Sequence, residues 1–154
     1  MKPGDLAPDF SLPDQDGTDR TLSELLEHGP VVLFFYPAAM TAGCTAQSCH
    51  FRDLAAEFAE VGAQRVGIST DDVAKQKQFA ELNSFDYPLL SDVGGEVAEQ
   101  FGVKRRLGPI PVKRHTFVID TDREVIEVIK SEFSMNSHAD KALAVLRKTA
   151  SSDR

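Results

Sequence analysis

The chain has two cysteines, Cys44 and Cys49, and both fall in the stretch YPAAMTAGCTAQSCH from Tyr36 to His50. A cysteine can serve as a nucleophile, a redox centre or a metal ligand once its thiol loses its proton. Five residues along an α-helix turn a side chain to about 140° from its start and separate the Cα atoms by roughly 8.6 Å. A disulfide needs Cα atoms within about 7 Å, so an intact helix keeps this pair apart. Bridging them requires the first turns to unwind, which is awkward for a structural crosslink. It suits a cycle in which one cysteine reacts first and the second follows after a local opening. Around them, Thr41 lies three residues before Cys44, Gly43 lets backbone approach a ligand, and Pro37 bends the loop and has no N–H. Cys44, Cys49 and His50 could also contribute to a zinc site, but no fourth ligand is evident.

The elements that position these residues follow from hydrophobic pattern. Val31 to Phe35 is a continuous β-branched and aromatic run, as expected for a strand buried on both faces. A helix is expected from Cys44 to Val61, with Phe51, Leu54, Ala55, Phe58 and Val61 on one face. Cys44 then sits in the first turn, where unpaired N–H groups and the helix dipole favour a thiolate. Gln64 to Ser69 reads as a second strand, and Asp71 or Asp72 caps a helix to about Leu82. A short helix runs from Glu96 to Phe101 and stops at Gly102. His115 to Asp120 and Glu124 to Phe133 form a hairpin of strands, and Ala139 to Lys148 is a closing helix. Upstream, Asp16-Gly17 turns between extended pieces at Phe10–Leu12 and Thr18–Thr21, and Ser23 is placed to cap a short helix to Glu27.

This order is α/β and is that of a thioredoxin-like fold: a central mixed β-sheet flanked by helices, with an N-terminal β-hairpin extension. The 154 residues suit a single domain, 1–154. A net charge of −7 argues against nucleic acid as a partner. The longest apolar run, Val31 to Tyr36, is far short of a membrane span, and no N-terminal leader is visible. A cytoplasmic location is the expectation, where a cysteine pair is more often catalytic, redox-sensing or metal-binding than structural.

The pattern P-x3-T-x2-C made by Pro37, Thr41 and Cys44 resembles the active-site loop of peroxiredoxins, which are thiol peroxidases. The C-x4-C spacing is similar to the Q-type, or bacterioferritin comigratory protein, subfamily. GDLAPDFSLPDQDG, VGIST, YPLLSDVGGEVAEQFGV and KRHTFVID extend the likeness over almost the whole chain. The resemblance implies a thiol-dependent peroxidase for hydrogen peroxide and alkyl hydroperoxides. It implies Cys44 as the peroxidatic cysteine and Cys49 as the resolving one, which would form an intramolecular disulfide. Thr41 and Arg114 would hold thiolate and peroxide in line, and Pro37 would shield the site. A thioredoxin-like dithiol protein would recycle the disulfide, with no metal or organic cofactor. The expected state is a monomer, with the loop from Ala38 to Met40 as the place for weak dimers. Ala42 stands where many relatives have proline. With no third cysteine and a short C-terminus, resistance to overoxidation is expected.

Each residue also has a plainer reading. Cys44 and Cys49 could be packed core thiols. Arg114 alone would be a surface charge, and the run of Lys104, Arg105, Arg106 and Lys113 a solvated loop. Gln47, one turn after Cys44, could touch Arg114. His50 reads as a helix-surface residue and His115 as structural, facing away from Arg114. His28 and His138 read as loop or cap residues. Two rival functions remain. A disulfide oxidoreductase would need C-x-x-C, but Thr41 fills that slot and a hydroxyl forms no disulfide. A redox sensor would use the same helix opening without turnover.

Overall fold

In the computed structural model, residues 1–152 are described, with side chains through Thr149. The chain opens with an antiparallel hairpin, β1 (Ser11–Pro13) and β2 (Asp19–Thr21), followed by α1 (Leu22–Leu25). Then come β3 (Val31–Phe35), α2 (Ala42–Asp53), α3 (Ala55–Glu60), β4 (Gln64–Ser69) and α4 (Val73–Asn83). The second half holds β5 (Leu89–Ser91), α5 (Glu96–Gln100), β6 (His115–Ile119), β7 (Val125–Lys130) and α6 (Met135–Ser152).

Five strands form one mixed sheet in the order β5-β4-β3-β6-β7. β4 runs parallel to β3 and β5, whereas β6 is antiparallel to both β3 and β7. The apolar run of β3 is therefore central, and all five of its residues are buried. Alternate side chains feed two cores. Leu33, Phe35, Phe117 and Ile119 pack with Leu22, Val97 and Phe101. Val32, Phe34, Tyr36 and Val118 pack with Phe51, Phe58, Phe79 and Leu143. The Phe51 ring of α2 stacks on Phe34 at 4.1 Å and 7°, which fixes this helix to the sheet.

Several expectations change. The single helix from Cys44 to Val61 breaks at Leu54, where φ −97° and ψ 22° leave the helical region. β5 carries no strand signal in the sequence, because three residues behind Pro88 are too short to show a period. β7 stops at Lys130 rather than Phe133, and α6 starts at Met135 rather than Ala139. Ser23 does not cap α1: Thr21 holds the cap position, and the Ser23 N–H and hydroxyl both donate to Asp9. Asp72 caps α4 by accepting from the Lys75 N–H at 2.8 Å, while Asp71 serves elsewhere.

Candidate active site

The site forms where β3 ends and α2 begins. The Tyr36 N–H still donates to Ile68, but Pro37 cannot extend the ladder, and the chain leaves the sheet. Met40 turns it with φ 71°, a left-handed conformation uncommon for a side-chain-bearing residue. From the end of β4, Asp71 accepts from the Ala39 N–H at 2.7 Å and from the Ser69 hydroxyl at 2.8 Å. The loop is thereby tied to the neighbouring strand. A buried relay continues from Ser69, which accepts from the Gln76 amide, to Tyr36, whose hydroxyl donates to Gln76. Burial pushes the Tyr36 phenol far up, so it stays neutral.

Helix α2 starts at Ala42, with Thr41 as its cap residue, so Cys44 lies in the first turn as the sequence implies. The first intrahelical bond runs from the Thr45 N–H to the Thr41 carbonyl, so the N–H groups of Gly43 and Cys44 precede the helical ladder. Cys44 is 1% exposed, and Arg114, on the approach to β6, is 7% exposed. The Arg114 Nη2 donates to the Cys44 Sγ at 3.4 Å, and its Nη1 donates to the Gln47 Oε1. One arginine thus bridges two residues a turn apart on α2. Its backbone N–H donates to the Glu132 carboxylate at 3.0 Å, which also pairs with Arg105 at 3.1 Å. A Cβ on Gly43 would lie 3.3 Å from the Arg114 Nη2. Only glycine at this position leaves the guanidinium its full room beside the sulfur.

The Thr41 hydroxyl, expected to help hold thiolate and peroxide in line, commits its proton elsewhere. It donates back to the Ala38 carbonyl at 2.8 Å, because the Met40 turn folds residue 41 over residue 38. Pro37 is half-buried beside the loop. His138 is not a loop or cap residue: it is fully buried in α6, bonded to the Thr116 hydroxyl and the Ser131 carbonyl, both at 2.7 Å. Burial lowers its basicity, with the Arg114 charge adding to the effect. His50 joins α2 to α6 through Asp140 at 2.7 Å. His115 faces the other side of the sheet beside Phe117, and burial holds its pKa down at about 4.

Cys49 is the less buried thiol, and both cysteines are free. Its Sγ lies 3.6 Å from the Asn83 Oδ1 at the end of α4. The residues from Thr45 to Ser48 include no large apolar side chain; the first such anchor is Phe51, beyond Cys49. Gln47 Nε2 and Ser48 Oγ are buried without a hydrogen-bond partner. These two unpaired atoms weaken the closed helix, while the Gln47–Arg114 bond and the Tyr87 hydroxyl donating to the Ser48 carbonyl at 2.7 Å hold it, so opening between the two cysteines must break both. Among the described residues no group of three or more His, Cys, Asp or Glu side chains is placed to hold a metal. No helix among them is long and apolar enough to cross a membrane.

The sequence profile of the AhpC/TSA family matches residues 3–128. The chain belongs to this family. It is 41% identical to peroxiredoxin Bcp of Escherichia coli over 155 residues, covering 97% of this chain and 98% of that protein. It is similar to the crystal structure of peroxidoxin BcpB from Mycobacterium tuberculosis, with a TM-score of 0.93 and 71% identity over 96% of this chain and 97% of that one. The bacterioferritin comigratory protein of Xanthomonas campestris, studied for its alkyl peroxide reduction, gives a TM-score of 0.83 and 29% identity, covering 92% of each chain. The chain is thus a peroxiredoxin, a thiol peroxidase with the thioredoxin-like fold that its element order announced. As a peroxiredoxin it uses a peroxide substrate and a thiol reductant. In this peroxiredoxin, Asp71 and Asn83 are contacts that no local motif in the sequence signals. The turn spacing of Cys44 and Gln47 is the one sequence hint to the Gln47–Arg114 bond.

Proposed function

We propose that this single-domain peroxiredoxin reduces hydrogen peroxide and alkyl hydroperoxides through Cys44, with Cys49 as the resolving cysteine. The observation that carries this reading is the Arg114 guanidinium 3.4 Å from the Cys44 sulfur at the start of α2. The cation and the free N–H groups of the first helical turn favour the thiolate there. The thiolate attacks one peroxide oxygen, an S–O bond forms and the O–O bond breaks. The departing oxygen takes a proton and leaves as water or an alcohol, and Cys44 becomes a sulfenic acid. Arg114 stabilises the charge moving from sulfur to the leaving oxygen. The Thr41 hydroxyl, with its proton committed to Ala38, offers lone pairs to a peroxide O–H. Pro37 limits water at the loop.

The segment from Thr45 to Ser48 then unwinds. The Cys49 sulfur attacks the Cys44 sulfur, an S–S bond forms, the S–O bond breaks, and the hydroxyl leaves as water with the Cys49 proton. A thioredoxin-like dithiol protein supplies the two electrons that reopen the disulfide. No nucleic acid, membrane, metal or organic cofactor takes part in this reading, which places the protein in the cytoplasm as a monomer. The alkyl peroxide activity associated with the Xanthomonas campestris protein supports the organic substrates. One equivalent of hydrogen peroxide, a sulfenic-acid trap and peptide mass spectrometry test it. The account expects a Cys44–Cys49 disulfide in the native protein and a trapped Cys44 adduct in Cys49→Ser. A trapped adduct on Cys49 in the native protein would overturn the assignment.

A further inference from the structure

We infer that Asn83 is a positioning residue for the second step: it parks Cys49 as a protonated thiol on α4 until α2 opens. The inference rests on the reading of Cys49 as the resolving cysteine. Asn83 is the last residue of α4, and the left-handed Ser84 (φ 54°) ends the helix immediately after it. Three bonds converge on Asn83. The Cys49 thiol donates to its Oδ1 at 3.6 Å, the Arg52 Nη1 donates to its carbonyl at 2.7 Å, and its own Nδ2 donates to the Phe79 carbonyl at 3.0 Å. The last bond orients the side-chain amide so that its oxygen faces the sulfur. Cys49 and Arg52 are three residues apart, hence neighbours on one side of α2. That side is therefore tied to a single residue of another helix.

The chemistry of the contact sets its direction. An amide oxygen only accepts, so it satisfies a thiol and repels a thiolate. Two groups that interact electrostatically with Cys49 are Arg52, itself paired with Asp53 at 3.0 Å, and the buried Tyr87, whose phenol burial holds neutral. Arg52 is the charged one of the two, and it favours the thiolate. Asn83 opposes it while α2 is closed. The arrangement separates the two sulfurs chemically: Cys44 faces a cation, and Cys49 faces an acceptor. When the helix unwinds, Cys49 leaves the Asn83 oxygen and is free to ionise as it meets the sulfenic acid.

The test uses the Cys44→Ser background, where Cys49 is the one thiol left. Asn83→Leu removes the acceptor at similar size, and Asn83→Asp keeps an acceptor and adds negative charge. The rate of Cys49 alkylation by iodoacetamide is followed against pH. The loss of one hydrogen bond corresponds to roughly a three- to tenfold change. The inference expects alkylation near pH 7 to accelerate by about that factor in Asn83→Leu, with the profile moved to lower pH. It expects a slower rate than the parent in Asn83→Asp, with the profile moved up. Equal acceleration in both variants would mean that Asn83 only braces the helix, and would overturn the inference. No change in either would overturn it too. Failure of the resolving role itself shows elsewhere: one equivalent of peroxide would then give no Cys44–Cys49 disulfide in the native protein, whatever the alkylation rates.

Discussion

On one face of the central sheet, Leu33, Phe35, Phe117 and Ile119 pack against Phe10, Leu22 and Phe101 in an apolar layer. On the other, Phe34 and Val118 share their layer with buried Tyr36, Gln47, Gln76, Arg114, Thr116 and His138. The same strands supply both, since neighbouring residues point to opposite sides. Phe117 and Thr116 are adjacent, yet one fills a core and the other holds a histidine. Apolar burial stabilises without regard to direction. The polar layer is directional: each guanidinium, amide and hydroxyl needs a partner at a set distance, and Gln47, Ser48 and Arg114 each leave a buried atom unpaired. Both faces bury aromatic and aliphatic side chains that stabilise the fold, and the second gives up some of its share to place a cation beside a sulfur.

The comparison breaks most visibly at Arg114. Arg114→Met removes the guanidinium and should slow peroxide oxidation of Cys44 by about a hundredfold or more, the usual loss for a preorganised donor. Stopped-flow mixing with hydrogen peroxide measures it; a change below about fivefold would contradict the role given to Arg114. On the apolar face, Phe117→Ala should lower stability by about 3–5 kcal/mol in urea unfolding. Its Cys44 oxidation rate, per folded molecule, should stay within about twofold of the native value. A large rate loss there would show that the two faces are not separable.

Gly43→Ala sharpens the contrast within α2. Alanine favours a helix over glycine by up to about 1 kcal/mol, so stability should hold or rise. Its Cβ would crowd Arg114 at 3.3 Å, so the oxidation rate should fall by about tenfold. A parallel change in both quantities would show that Gly43 acts through folding alone.

The smallest effect is in pH. His115 titrates at about 4 when folded against an ordinary value near 6.5, and burial lowers His138 as well. Between those pH values the unfolded chain binds protons that the folded chain refuses, so protons favour unfolding. Stability should therefore decline as pH falls from about 6.5 towards 4. His115→Gln should flatten that decline in thermal melts across the window, and an unchanged slope would exclude His115 as a source.

Much of this was readable from sequence because its signals are local. The boundaries of Val31–Phe35 and Gln64–Ser69 follow from apolar runs, and the place of Cys44 follows from a strand turning into a helix. Arg114 was reachable through the family pattern, although nothing in its own neighbourhood distinguishes it from the nearby surface cations. Contacts made across the fold were not readable. Asp71 and Asp72 are both plausible caps in a string of letters; the structure gives one to α4 and the other to the Cys44 loop. His138 looked like a cap because its helix starts earlier than its apolar pattern does. The Thr41 hydroxyl turns to Ala38 because Met40 adopts a left-handed conformation, which a methionine does not advertise.

The most direct test of the central claim is the second-order rate of the reduced protein with hydrogen peroxide, measured by stopped flow for the native chain and Cys49→Ser. The account predicts a rate orders of magnitude above that of free cysteine in both proteins, with the later disulfide phase seen only in the native one. A rate like that of free cysteine in both would contradict it, because Arg114 and the start of α2 would then not be tuning Cys44 for peroxide.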